Sequence, residues 1–226
     1  GTITTCCATG NVSGTGGNVG GLVGYHTYTG TIMACYATGT VSGTDAVGGL
    51  VGCNAGATVA CYATGAVRGT GDEIGGLVGW NSESGTITAC YATGTVSGGG
   101  YVGGLVGHST VGKWICEKVN CREECYWLPD GGFLCEWVCD EYCYTDIVDA
   151  PWLIENSFWD RQTSGQLTSA GGTGKTTTEM KAHSTFTNSD WDFAKLETGT
   201  TVPLTAPNPA DVVSPERVNK FETGMA

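Results

Sequence analysis

The chain has 226 residues, with 22 acidic against 10 basic side chains, a net charge of −12, and twelve cysteines without one Cys-x-x-Cys. So acidic a balance argues against a nucleic-acid partner, because phosphate binding needs Lys and Arg, and no apolar run reaches the ~18 residues of a membrane span. That many cysteines point to an oxidising compartment, so an extracellular or cell-surface protein is expected. No charged-then-apolar leader opens the sequence, which reads as a mature or trimmed chain.

Residues 1–112 hold 30 of the 38 glycines and five charged side chains: Asp45, Arg68, Asp72, Glu73 and Glu83. Val19-Gly20-Gly21-Leu22-Val23-Gly24 recurs at 47–52, at 74–79 with Ile74 in place of the first Val, and at 102–107, its leucines 28, 27 and 28 residues apart. A second element keeps step as Cys35-Tyr36-Ala37-Thr38-Gly39, Cys61-Tyr62-Ala63-Thr64-Gly65 and Cys90-Tyr91-Ala92-Thr93-Gly94, with Cys6-Cys7-Ala8-Thr9-Gly10 an altered first copy. A fixed period of this size marks stacked repeats. The segments between glycines are short and rich in Ile, Val and Thr, the composition of strands. The expected fold class is all-β: a right-handed parallel β-solenoid of ~27-residue turns, three strands to a turn, stacked ~4.8 Å apart. Three interior ladders are expected: Ile32, Val59 and Ile87; Val41, Val67 and Val96; and Leu22, Leu50, Leu77 and Leu105. The glycine pair before each Leu is expected to turn a sharp corner through positive φ and a missing Cβ.

These residues resemble the GLUG repeat, named for its Gly-Leu-hydrophobic-Gly core. The resemblance covers residues 1–112 and returns at Asn156-Ser157-Phe158-Trp159-Asp160. It continues through Thr163-Ser164-Gly165 and Gly171-Gly172-Thr173-Gly174-Lys175-Thr176-Thr177 to Trp191-Asp192-Phe193. It implies a repetitive extracellular surface protein of bacteria or archaea, often an adhesin-like stalk beside other domains, and carries over no catalytic residues.

The column Cys6, Cys35, Cys61, Cys90 reads as a stack of small apolar free thiols, since in-register bridges between neighbouring turns would be strained. Cys7 replaces the ladder tyrosine, and Cys53 fills the slot of Tyr25, Trp80 and His108. Both are candidates for intersubunit or irregular contacts.

Composition changes in the insertion, residues 113–150. Residues 113–149 carry six cysteines and nine acidic against three basic side chains. Around the turn signal Leu128-Pro129-Asp130-Gly131-Gly132 the cysteines are nearly symmetric. Nested disulfides Cys125–Cys135, Cys121–Cys139 and Cys116–Cys143 are expected, stapling two arms that have little core of their own. Spacing by four suggests a helical hairpin, with a β-hairpin of the same pairing as the alternative. Six cysteines exceed the four that one zinc ion takes, so a metal site is not expected. Trp114, Trp127 and Trp137 make this knob a candidate contact device, or a flap over an apolar flank.

Residues 151–196 read as a last coil with Ser157 in the Cys position and Phe158 in the Tyr position, then a C-terminal cap with a short helix at 177–182. Trp191 and Phe193 are expected to dock on that coil. Ser169-Ala170-Gly171-Gly172-Thr173-Gly174-Lys175-Thr176 is not a phosphate loop, because Ser169 stands where the first Gly is required and no hydrophobic strand precedes it. Residues 197–226 hold four of the six prolines and are expected to form an extended arm along a neighbouring subunit.

No catalytic residue, cofactor or metal is expected. His26, His108 and His183 are scattered, and Asp45, Asp72, Glu73 and Glu83 fall in loops of unequal length. The chain opens on a repeat without a polar cap, and this open strand edge is expected to be a subunit interface. The functional expectation is a head-to-tail filament of copies of itself. The alternative is an adhesin stalk touching glycan or a host surface through Tyr36, Tyr62, Tyr91 or the insertion tryptophans. A third is a polysaccharide-active enzyme.

Overall fold

The computed structural model describes residues 1–82, 84–127, 133–189 and 191. Contacts divide the chain into two units, one of residues 1–110 with the chain from Asp149 onward, the other Val111–Val148. The expected arm at 197–226 and Phe193 lie outside the described residues.

In the first unit the repeat forms stacked coils. Coil 1 contributes strands Thr2–Thr4, Cys7–Ala8, Val12–Ser13, Val19–Gly20 and Val23–His26, and coils 2 and 3 repeat the set. Coil 4 runs from Thr86–Thr88 to Gly100–Gly103 and into the strand beginning at Val106. Equivalent strands pair in parallel and in register, as in Tyr36↔Tyr62↔Tyr91 and Val12↔Val41↔Val67↔Val96. A fifth, partial coil follows, with Ile87↔Ile154 and Tyr91↔Phe158, so Ile154–Asp160 restores the register as the sequence indicates.

Each full coil has five strands rather than three, because its backbone breaks at recurrent left-handed corners. Thr5, Ala34, Ala60 and Ala89 take φ of 50–52° at one corner. Asn18, Ala46, Glu73 and Tyr101 take 46–66° at another, beside each Val/Ile-Gly-Gly. The glycine pairs themselves serve a different end than expected. A Cβ on Gly48 would collide with the Val51 carbonyl oxygen, and one on Gly49 would lie 2.8 Å from Ala63 Cβ. Absence of a side chain lets the strand fold back on itself, while alanine and other residues bear the positive φ.

The interior holds two clusters. One joins Ile32, Ile87, Leu50, Leu77 and Leu105 with the buried cysteines and alanines; the other is the column Val41, Val67, Val96 with Val47 and Ile74. Each fully buried Leu or Ile contributes roughly 1.5–3 kcal/mol. The first ladder departs from expectation by one residue. Thr58, not Val59, lies between Ile32 and Ile87, and it is fully buried. Its hydroxyl donates to Asn54 Oδ1 at 3.0 Å, which satisfies the buried polar atom.

The C-terminal end of the stack is closed by the chain itself. Helix α1 (Arg161–Ser164) starts on Asp160, whose Oδ1 accepts from the Gln162 and Thr163 N–H groups. Helix α2 (Thr177–Met180) begins with a capping box between Thr176 and Glu179, where the sequence places a helix, and α3 (His183–Thr187) follows. Phe158, Met180 and Phe186 form a small core, with Trp191 against it. Trp191 Nε1 donates to the Asn156 carbonyl at 2.6 Å, docking on the last coil as expected.

The Val111–Val148 unit is built from the strands Val106–Trp127 and Phe133–Asp149. The expected helical arms are therefore strands, which is the β-hairpin alternative. A spacing of four places residues on one face of a strand as well as of a helix, so it could not distinguish them. Ile, Val, Tyr and Trp in the arms favour the strand. The Cys121–Cys139 disulfide joins the arms, and Asn120 Nδ2 donates to Asp140 Oδ2 at 3.4 Å beside it.

Candidate functional site

Of the three expected bridges, Cys121–Cys139 is formed. The side chains of Cys116, Cys125, Cys135, Cys143, Trp114, Trp127 and Trp137 lie outside the described residues. Cys7 is exposed, as an intersubunit contact requires. Cys53 is not suited to that role: it is fully buried, its Sγ 3.5 Å from Ser82 Oγ.

Cys6, Cys35, Cys61 and Cys90 are free thiols, and the structure gives them a task beyond filling space. Each of these cysteines follows a left-handed residue, and its own backbone N–H has no backbone carbonyl partner in the adjacent coil. That N–H donates instead to the next coil's side chain: Cys6 to Cys35 Sγ (3.4 Å), Cys35 to Cys61 Sγ (3.4 Å), Cys61 to Cys90 Sγ (3.3 Å). Each thiol in turn donates to the carbonyl two residues back, as Cys61 Sγ does to Val59 at 3.1 Å. The Cys61 thiol beside it and burial push the Cys35 thiol up; burial pushes the Cys61 thiol well up.

The tyrosine column stacks face to face, with centroids 4.9 Å apart for Tyr36–Tyr62 and 5.0 Å for Tyr62–Tyr91. Tyr62 is buried, and Phe186 meets Tyr91 edge-on at 6.3 Å. Stacking covers both faces of Tyr62 and one face each of Tyr36 and Tyr91.

A polar line runs through the interior. His26 Nδ1 donates to Asn54 Oδ1 (2.7 Å), Asn54 Nδ2 to Asn81 Oδ1 (2.8 Å), Asn81 Nδ2 to Ser109 Oγ (3.2 Å), and Ser109 Oγ to the Ala150 carbonyl (3.0 Å). The register that aligns residues 26, 54, 81 and 109 makes this line. His26, Asn54, Asn81 and Ser109 are buried, and the recurrence of polar residues after each Val-Gly was the signal that sequence reasoning passed over.

One cleft of about 550 Å³ opens at the end of the fourth coil, lined by Tyr101, His108, Asp149, Thr168 and Ser169 among others. Tyr101 stacks on His108, centroids 4.3 Å apart at 11°. His108 Nε2 lies 3.3 Å from Asp149 Oδ1, and Nδ1 lies 3.7 Å from Glu73 Oε1. Ser169 forms the floor: its hydroxyl accepts from the Leu105 and Val106 N–H groups and donates to the Val106 carbonyl. The stretch that mimics a phosphate loop thus closes the last coil. Among the described residues, no group of three His, Cys, Asp or Glu side chains is placed to hold a metal ion. No helix among them is long and apolar enough to cross a membrane.

Parallel in-register coils with side-chain ladders place the first unit in the class of β-solenoid repeat proteins. The repeat is the GLUG motif, whose family model matches residues 15–42 and 71–97. Both segments run from the variable loop through Gly-Gly-Leu-Val-Gly to the Val-Ser after the tyrosine element. No curated protein and no solved structure matches the chain.

Proposed function

We propose that this chain is a structural, non-enzymatic unit of an extracellular surface assembly, in its fullest form a head-to-tail filament of copies of itself. The observation that carries this reading is the pair of ladders, thiol and asparagine, whose hydrogen bonds tie each coil of the solenoid to the next. The GLUG motif and the Cys121–Cys139 disulfide support an extracellular location.

Because residues 166–175 and the short helices cover the last coil, a contact at that end uses cap side chains rather than continued strand pairing. Electron microscopy of native material, with and without reductant, tests the reading. Regular filaments are expected, and their loss on reduction would place Cys7 or the disulfide-bonded insertion at the contact. Separate short rods under all conditions would refute self-assembly.

A further inference from the structure

We propose that the cleft at Tyr101 and His108 binds an uncharged saccharide, a role independent of the filament reading. The starting point is a backbone oddity. Asn18, Ala46, Glu73 and Tyr101 occupy the same left-handed corner in successive coils. Asn accepts that conformation readily; a bulky aromatic residue resists it and stays there only when its surroundings hold it.

What the strained corner achieves is exposure of a ring at a defined place. Tyr101 is 60 % exposed although one face rests on the His108 imidazole, and its ring lines the cleft. Beside it Glu73 and Asp149 bracket the imidazole, with side-chain exposures of 25 % and 83 %. A flat apolar face beside the exposed Asp149 carboxylate matches a pyranose ring, whose C–H face packs on an aromatic while its hydroxyls donate to the carboxylate. The volume of about 550 Å³ falls in the range for small-ligand sites. Among the described residues that line the cleft there is no Lys or Arg, so the Asp149 carboxylate repels uronic and other acidic sugars. A single exposed ring does not make the aromatic cage that an alkylammonium group requires.

The test titrates the full chain with cello-, manno- and xylo-hexaose, with oligogalacturonate and a Lys-rich peptide as charged comparators, by calorimetry. At least one neutral hexaose is expected to bind with a Kd of roughly 1 mM or below, and oligogalacturonate about tenfold more weakly or worse. Tyr101→Asn restores the residue type of the first coil, so it is expected to keep or raise the melting temperature while weakening binding about tenfold. Asp149→Ala, at an exposed side chain, is the second variant and is expected to weaken binding without loss of fold. Failure of every neutral hexaose to bind, preference for the acidic oligomer or the peptide, or wild-type affinity in Tyr101→Asn would overturn the proposal.

Discussion

The backbone N–H of Cys90 donates to Ser157 Oγ at 3.1 Å, in the place where the N–H groups of Cys6, Cys35 and Cys61 meet a thiol sulfur. Ser157 also donates to the Glu155 carbonyl at 2.7 Å, repeating the thiol's bond to the residue two back. The slot therefore demands a small side chain that both accepts and donates. Cys61→Ser is expected to stay within ~1 kcal/mol of wild type, whereas Cys61→Ala leaves the Cys35 N–H without an acceptor and costs ~1–3 kcal/mol. Urea unfolding of the two variants checks this; equal stabilities would show that the ladder is mere filling.

Thiol accessibility should divide sharply along the stack. Cys6 and Cys7 are exposed, while Cys35, Cys53, Cys61 and Cys90 are buried. Alkylation depends on thiolate and access, and the raised Cys35 and Cys61 thiols lack both. Iodoacetamide on the native chain at pH 8, mapped by mass spectrometry, is expected to label Cys6 and Cys7 and to reach the other four only in denaturant. Labelling of Cys61 in the native state would contradict the packing.

Much of the solenoid is legible in the sequence because the period is written in residue types. The Val41, Val67, Val96 column and the thiol stack follow from counting alone. Errors arise where hydrophobicity and register disagree or where a pattern is degenerate. Thr58 takes the Ile slot because the offset from Gly56 equals that of Ile32 from Gly30, a match that hydrophobicity hides. Cysteines four apart fit a strand as well as a helix, so the arms of the insertion could not be assigned by spacing. The cleft is the least legible, since it assembles Tyr101 and His108 from the fourth coil with Asp149 and Ser169 from the returning chain. Nothing local to any of them marks it.

The asparagine line is expected to behave as one cooperative unit. Asn81 Oδ1 accepts from Asn54, and its Nδ2 donates to the Gly85 carbonyl (2.7 Å) as well as to Ser109. Removing it leaves three buried groups short of a partner, so Asn81→Ala should cost ~2–4 kcal/mol. A double-mutant cycle with Asn54→Ala should give a coupling of ~1–2 kcal/mol. Additive losses would show that the two side chains act separately.

Alkaline pH should loosen the stack through groups that keep their protons when folded. Burial holds the Tyr62 and Tyr91 phenols above the ordinary value near 10, with the neighbouring ring adding to it, and the Cys35 and Cys61 thiols sit above theirs near 9. A raised folded value means that the unfolded chain loses its protons first. The stabilisation is fully present below pH 9 and declines as pH rises past the unfolded values towards the folded ones. Melting temperature should stay level from pH 7 to about 9 as far as these groups govern it, then fall. Tyr91→Phe places in coil 4 the residue that coil 5 already uses at Phe158, so it is expected to fold and to melt with a shallower alkaline decline. If that variant declines as steeply as wild type, the tyrosine column does not contribute to the alkaline transition.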